Sequence, residues 1–589
     1  MVAALPVVLL WPAGDPELCA GRRRRQNEEK PTEVFFQTSI RSSARLAAFV
    51  VAIAIAGCNG ISSESNRGGR HPWTVPGVFR FGAGTDPTSL NPMLDGGSIH
   101  LSMFVFSWAV RDDDKAHPFP DALREIPTVA NGDVSKDGLT LRYKVRRNIK
   151  WQDGPPLTCN DLKFTWKVVM NPHNDALTTD GYKDIRSIDC VNSYLAVVRM
   201  KRIYAPFLQQ LWSPNGYAPI LPEHILAKYN DDKGSFNSAP YNSLPIGSGA
   251  FKVVAWDREQ DIRMVANPHF YFGKPKLNAV IFKIQPGTNG LGDASVQTHT
   301  VDMVMGSQMD WPMFAALASD PENGIVAKPV DLFAWSHVDF NLTRPIVGDR
   351  NVRIALAYAS NRQELLKPFH GLPIPTETDQ NPRLSWAYSN HIRHYPFDRT
   401  KARTILDLDG WKVGPDGVRI KKGRRLEFSL STRSEGRGET VMQLILQREW
   451  RDVGVQADIK KYPSKLFFDA APDGILQGGH YDAAIASTSG SADPDDSALL
   501  SGDDLAPRGE NTTRWNNRSA TAAMNDAVRT VDWARRKRDY GIVQQQLMLD
   551  VPMIVTNFIR EPFVYNKDLR GFDPSPTSAV FWDPWNYSI

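Results

Sequence analysis

The chain predicts an α/β protein, and three observations lead there. Segments with the two-residue period of half-buried strands alternate with segments of helical period along most of the length. Hydrophobic residues make up 42% and charged residues 23%, ordinary values for a packed interior, so wholesale disorder is excluded. The 69 basic and 65 acidic residues leave a net charge of +4, without the concentrated basic stripe of a dedicated nucleic-acid binder. At about 150 residues per structural unit, 589 residues amount to about four units, which α/β folds merge into fewer, larger lobes.

The elements follow in order. Gly77–Phe81 is the first expected strand, broken by the turn Gly84-Thr85-Asp86-Pro87. Thr140–Val145 (TLRYKV) alternates polar and apolar residues. Thr158 then caps a helix with Asp161 in its first turn, where a carboxylate suits the helix dipole. Leu162, Trp166 and Val169 share one face of that helix, which stops before Pro172. Strands are expected at Leu195–Met200, at Phe251–Trp256 and Asp261–Val265 as a hairpin, at Ala279–Ile284 and at Phe333–Leu342. Asn351–Lys367 reads as an amphipathic helix followed by a second helical turn, and Glu439–Val453 as a helix ended by Gly454. Val455–Ile459 and the apolar run Tyr481–Ser487 read as strands, the second opening into a loop. Arg518–Leu549 is expected to be helical, with Arg535-Arg536-Lys537-Arg538 as a solvated face, and Val551–Phe558 is the last strand.

The N-terminal region reads as an address. Arg41 and Arg45 precede the apolar run Leu46–Ala56, the size of a signal-peptide core and short of the ~20 residues that span a bilayer. The run ends in Ile55-Ala56-Gly57-Cys58, which resembles a bacterial lipobox, so Cys58 is the expected lipidation site and membrane anchor. The first 33 or so residues lie ahead of a normally placed signal, and Val34 is an alternative start. Residues 59–76 are expected to form a flexible tether, polar and Gly/Ser-rich over Asn59–Arg70. Export implies an oxidising compartment. With Cys19 removed and Cys58 lipidated, Cys159 and Cys190 remain, either bonded to each other or as two buried thiols.

Chemistry-bearing motifs are absent. The sequence contains no CxxC, HExxH, Walker A loop or GxSxG elbow, so an enzyme has no motif support and no cofactor is expected. The 12 histidines form no tight ligand spacing, so no metal site is expected. Sixteen tryptophans serve either a large core or an aromatic-lined cleft.

Several segments fit one family in the family's order. They are Leu141–Trp166 (LRYKVRRNIKWQDGPPLTCNDLKFTW), Gly247–Pro275 (GSGAFKVVAWDREQDIRMVANPHFYFGKP), Phe340–Leu366 (FNLTRPIVGDRNVRIALAYASNRQELL) and Asp493-Pro494-Asp495. Together they resemble the bacterial extracellular solute-binding proteins of family 5, the large peptide/nickel-type binding lipoproteins of ABC importers. The resemblance implies a two-lobed periplasmic-binding-protein-like fold of type II with an extra subdomain. Lobe I would be 77–330, lobe II 331–553, and 554–589 would return to lobe I. The chain would cross between lobes near Val326–Phe333 and Val551–Phe558. The implied role is capture of a peptide-like solute between closing lobes and its delivery to a permease with ATPase subunits, by a monomer on the outer face of a membrane.

One segment departs from the family. Peptide-binding members resemble one another in a Trp-x-x-Asp-x-x-Asp-Pro stretch whose first Asp pairs with a peptide ammonium. Here Ser487 stands at the Trp position and Gly490 at that Asp position, while Asp493 matches the second Asp and reads as a turn or cap residue. Asp86, Asp495 or Asp496 could supply the missing charge, and the hydroxyl-rich segment also suits an oligosaccharide or other neutral ligand. An exported hydrolase using a carboxylate pair, and a receptor or chaperone-like use of the same fold, are the readings from other classes. The candidate ligand-binding residues are Thr85, Asp86, Ser248, Gly249, Trp335, Ser487, Thr488, Ser489, Gly490, Ser491 and Asp493.

Overall fold

The computed structural model describes residues 70–285, 291–306, 311–320, 323–469, 472–577 and 580–589. The leader, Cys58 and the tether up to 69 lie outside them. The last part of the expected tether is instead fastened to the folded unit. The backbone N–H of His71 and the hydroxyl of Thr74 donate to the Asp568 carboxylate at 2.8 and 2.6 Å, and Trp73 stacks on His299 at 3.9 Å between ring centroids.

Among the described residues an eleven-stranded sheet runs through the molecule. Its order is Gln456–Tyr462, Glu427–Arg433, Ala483–Thr488, Ile325–Phe340, Met553–Asn566, Met303–Met305, Val78–Ala83, Ala279–Ile284, Asp261–Ala266 and Phe251–Asp257. The short Ile374–Pro375 also pairs with Met553–Asn566. Alternating sequence becomes alternating burial, as in Ala279–Ile284, where the even-numbered residues Val280, Phe282 and Ile284 enter the core.

Two strands decide the architecture. Ile325–Phe340 and Met553–Asn566 pair antiparallel along most of their length, with a break in register between Asp331 and Trp335. On one side of the break, Val330 and Phe563 join a core built from residues 79–305 and 563–589. On the other, Trp335 to Phe340 and Met553 to Phe558 join the cores of 335–558. The molecule is therefore two-lobed. The second crossing falls at 559–561, later than the expected boundary at 553/554, because one uninterrupted strand carries the chain through both lobes. Both strands also outrun the segments expected at Phe333–Leu342 and Val551–Phe558.

Lobe I carries a further small sheet of Thr140–Lys144, Leu195–Met200 and Ile185–Asn192. The helix Cys159–Val169 packs on it and begins with a complete capping box, Thr158 and Asp161 bonding each other's backbone N–H groups. Cys159 and Cys190 form a disulfide that fastens the start of this helix to the neighbouring strand, which decides between the two readings of these cysteines.

The expected single helix Arg518–Leu549 is two, Arg518–Val528 and Trp533–Asp550, because the Asp532 side chain accepts from the N–H groups of Ala534 and Arg535 and starts a new helix. Nor is the whole basic run a solvated face. Arg536 is buried, its Nη2 2.7 Å from both carboxylate oxygens of Asp493 and its guanidinium within 5.2–5.6 Å of the ring centres of Trp386, Trp533 and Tyr540. Successive helical residues point about 100° apart, so a run of four basic residues is bound to aim one at whatever the helix packs against.

Candidate functional site

Burial relaxes where the second long strand passes between lobes. Met553–Phe558 and Pro562–Val564 are buried, whereas Ile559, Arg560 and Glu561 are half-buried. Three cavities that share Glu561 as a lining residue open at this point, of about 240, 250 and 330 Å³, beside a fourth of about 380 Å³ lined by Asp331, Arg383 and Arg560. The first is lined mainly from lobe II, by Ser336, Ser487, Arg433 and Glu439 with Trp311 beside them. The second lies in lobe I against Thr85, His100 and Met305. The third is lined from both lobes, by His100 and Tyr217 on one side and Ala334, Ser489 and Gly490 on the other. Glu561 lines all three. The lobes also touch away from the cavities, where the Ala205 N–H donates to the Val528 carbonyl at 2.7 Å.

The residues singled out in the sequence divide between these walls and the protein interior. Thr85 is exposed and lines the lobe I cavity. Ser487 lines the lobe II cavity, its Oγ 3.0 Å from that of Ser336 across the strand pair, and Ser489 and Gly490 line the shared one. Thr488 points to the opposite face of its strand, 3.1 Å from Nε2 of the buried His337, whose Nδ1 lies 2.7 Å from Asp339. Ser491 closes a turn, its hydroxyl donating to the Asp493 carbonyl at 2.6 Å.

The remaining candidates serve the fold. Trp335 is 1% exposed and packs in a lobe II core with Trp515, Leu500 and Met553. Ser248 is fully buried, donating to the Ser107 hydroxyl at 2.8 Å, and Gly249 lies against the backbone of Phe104 and Val105 with no space for a side chain. Asp86 accepts from the Trp256 indole at 2.8 Å and the Glu259 N–H at 3.0 Å, bracing a turn. Asp493 is the partner of Arg536 described above. Its neighbours are engaged too: Asp496 accepts from the Gln380 amide at 2.9 Å, and Asp495 from the Ser497 N–H at 3.2 Å. Burial raises the carboxyls of Asp495, to about 6, and of Asp496, against their hydrogen bonds. None of the three stand-ins expected for a ligand charge is a free anion facing the cavities.

Gly490 has a steric reason for its identity. A Cβ there would run into the backbone carbonyl of Phe333 on the neighbouring strand, so no aspartate fits without moving the backbone.

Glu561 and His100 escaped the sequence reading. Glu561 interrupts an otherwise largely apolar strand beside Arg560, and two adjacent charges in such a run are a signal that was there to be read. Arg560 is taken up by Asp331 at 2.5 Å. Burial alone pushes the Glu561 carboxyl up to about 7, and no hydrogen bond or ion pair reaches it among the described residues. His100, near the start of the helix Ile99–Val105, has a buried Nδ1 without a partner, and burial lowers its pKa to about 4, so the ring is neutral.

Cavities at the crossing strands of a two-lobed α/β chain are of the kind that ligand-binding proteins place between lobes. Comparison with known proteins specifies which class. The family model for bacterial extracellular solute-binding proteins, family 5, matches residues 125–505, and the chain belongs to that family. It is 22% identical over 548 residues to the oligopeptide-binding protein AppA of Bacillus subtilis, covering 90% of this chain and 96% of that one. It is 26% identical over 459 residues to the glutathione-binding protein GsiB of Salmonella choleraesuis, covering 76% of this chain and 83% of the relative. Among solved structures, NikZ from Campylobacter jejuni, in complex with Ni(L-His), superposes with a TM-score of 0.76 at 24% identity over 88% of this chain and 100% of its own. Bacillus subtilis AppA with a nonapeptide superposes with a TM-score of 0.74 at 21% identity over 87% and 98%. These likenesses establish the two-lobed type II binding-protein fold.

Proposed function

We propose that this protein is the substrate-binding component of an ABC importer that encloses a peptide-like solute between its lobes and delivers it to a membrane permease. It acts as a monomer, exported and held at the membrane by a lipid on Cys58. The observation that carries this reading is the position of the cavities. They lie where two strands cross between lobes, and their walls come from both, so a small rotation about the crossings would open or enclose a ligand. Closure excludes water and strengthens every polar contact to the ligand.

The peptide class is favoured by the relatives named for peptide and glutathione binding. Trp311 and Tyr217 on the cavity walls could serve the oligosaccharide alternative as stacking platforms, whereas Trp108, Trp151, Trp212, Trp335, Trp450 and Trp515 are fully buried and could not. A hydrolase would need two carboxylates flanking a scissile bond. Of the acids lining the lobe II cavity, Glu439 is bound by Arg433 at 2.7 Å and Glu435 by Ser464 at 2.8 Å, so neither stands free beside Glu561.

The test is native mass spectrometry of the chain purified without refolding, followed by fragmentation of any retained ligand. A peptide adduct supports the reading. A hexose ladder would overturn its peptide part, and turnover of the bound molecule would overturn the transport role.

A further inference from the structure

We infer that Glu561 is the charge anchor of the site, pairing with a primary ammonium group on the bound solute. The inference rests on the reading that the inter-lobe cavities hold the solute. Its basis is the local geometry. Glu561 lines all three cavities, and its half-buried carboxylate has no cationic or hydrogen-bonding partner among the described residues. The guanidinium next to it in sequence, Arg560, belongs to Asp331, and Arg433, across the lobe II cavity, belongs to Glu439. Glu561 is also the only acid lining the lobe I cavity and the cavity shared between lobes, as those linings are described.

A half-buried carboxylate without a partner is unfavourable in the empty protein, and a cation entering the cavity removes that penalty. The fold makes the carboxylate's place deliberately tight. A side chain at Gly306, which has φ +59°, would overlap the Glu561 carboxylate, so glycine leaves the acid its room. A second orphan lies on the same walls. His100 lines two of the three cavities and has an unpartnered, buried Nδ1, and its neutral ring adds hydrogen-bonding capacity without a competing positive charge. Carboxylate and neutral imidazole together suit an ammonium, which has three protons to donate.

The experiment uses the mature chain, its Glu561→Gln variant, which keeps shape and loses charge, and its Glu561→Asp variant, which keeps charge. Each is offered a defined library of tri- to pentapeptides in free and N-acetylated form, together with maltotriose, and binding is read by native mass spectrometry and calorimetry. Circular dichroism confirms that each variant is folded. The expected result is that the wild-type protein prefers free over acetylated peptides. Glu561→Gln should weaken the free forms by about 10- to 100-fold and leave the acetylated ones within about threefold. Glu561→Asp should recover part of the loss. Equal binding of free peptides by wild type and Glu561→Gln overturns the anchor while leaving peptide capture standing. Binding of maltotriose alone, or of no ammonium-bearing peptide, overturns the anchor and the peptide reading together.

Discussion

Glu561 stands between Arg560 and Pro562 in a strand whose other side chains build two cores, and its carboxyl titrates near 7 because the cavity walls withhold water. The folded form thus holds a proton that the unfolded chain, with its ordinary carboxyl near 4.5, has already released. Folding stability from this group consequently falls as pH rises from about 4.5 to about 7. His100 stays neutral over most of that range, and Arg560 is committed to Asp331. Glu561→Gln should therefore raise the melting temperature of the ligand-free protein at pH 8 by about 1–3 °C, and the gain should vanish at pH 4; scanning calorimetry at the two values checks both sign and window. Gly490→Asp should lower stability by about 1–3 kcal/mol, the range for overpacking, without creating a peptide site, because the new side chain meets the Phe333 carbonyl. A denaturant midpoint and a binding assay read the two halves of that expectation. At this scale the sequence was legible for type and not for direction. The hydroxyls of Ser487 and Ser489 line cavities, but Thr488 between them points away, since successive strand residues face opposite sides of a sheet.

Elements were the best-read level, and their errors share a cause. The helix Cys159–Val169 begins at Thr158 as its capping box implies, because caps are local chemistry between residues three apart. Thr158→Ala should cost about 1 kcal/mol, measurable as a shifted denaturant midpoint. The disulfide at the same helix start could not be inferred from spacing, since it depends on a neighbouring strand arriving alongside. Cys159→Ser should cost about 3–4 kcal/mol for the loop it leaves open, and reductant added to the unaltered protein should produce the same shift. Where the reading failed, a tertiary partner intervened. Arg536 belongs to a basic run, yet it is buried against Asp493 and three aromatic rings. Asp493→Ala should cost about 3–5 kcal/mol by leaving that guanidinium buried and unpaired; surface Arg535→Ala should change the unfolding midpoint little.

For the whole molecule, two strands form the joint. Ile325–Phe340 and Met553–Asn566 are continuous, so the lobes are linked by sheet hydrogen bonds, interrupted by register shifts at Asp331/Trp335 and Ser336/His337, rather than by loose loops. A joint of this kind favours rotation of intact lobes over local unfolding. Small-angle scattering should accordingly show a smaller radius of gyration when the cognate solute is added, with unchanged secondary structure by circular dichroism; an unchanged radius would argue for a site filled without lobe motion. The α/β class, most elements and the resemblance to the solute-binding family were all determined by the sequence itself. Those features rest on periodicity, caps and turns, interactions between residues near each other in the chain. Only the tertiary structure decided which carboxylate faces the cavity, which glycine leaves no room for another, and where the chain passes between lobes. Each of these depends on residues more than 150 positions apart meeting at or just beyond neighbouring strands, as Gly306 meets Glu561 and Phe333 meets Gly490. No local pattern records such a meeting.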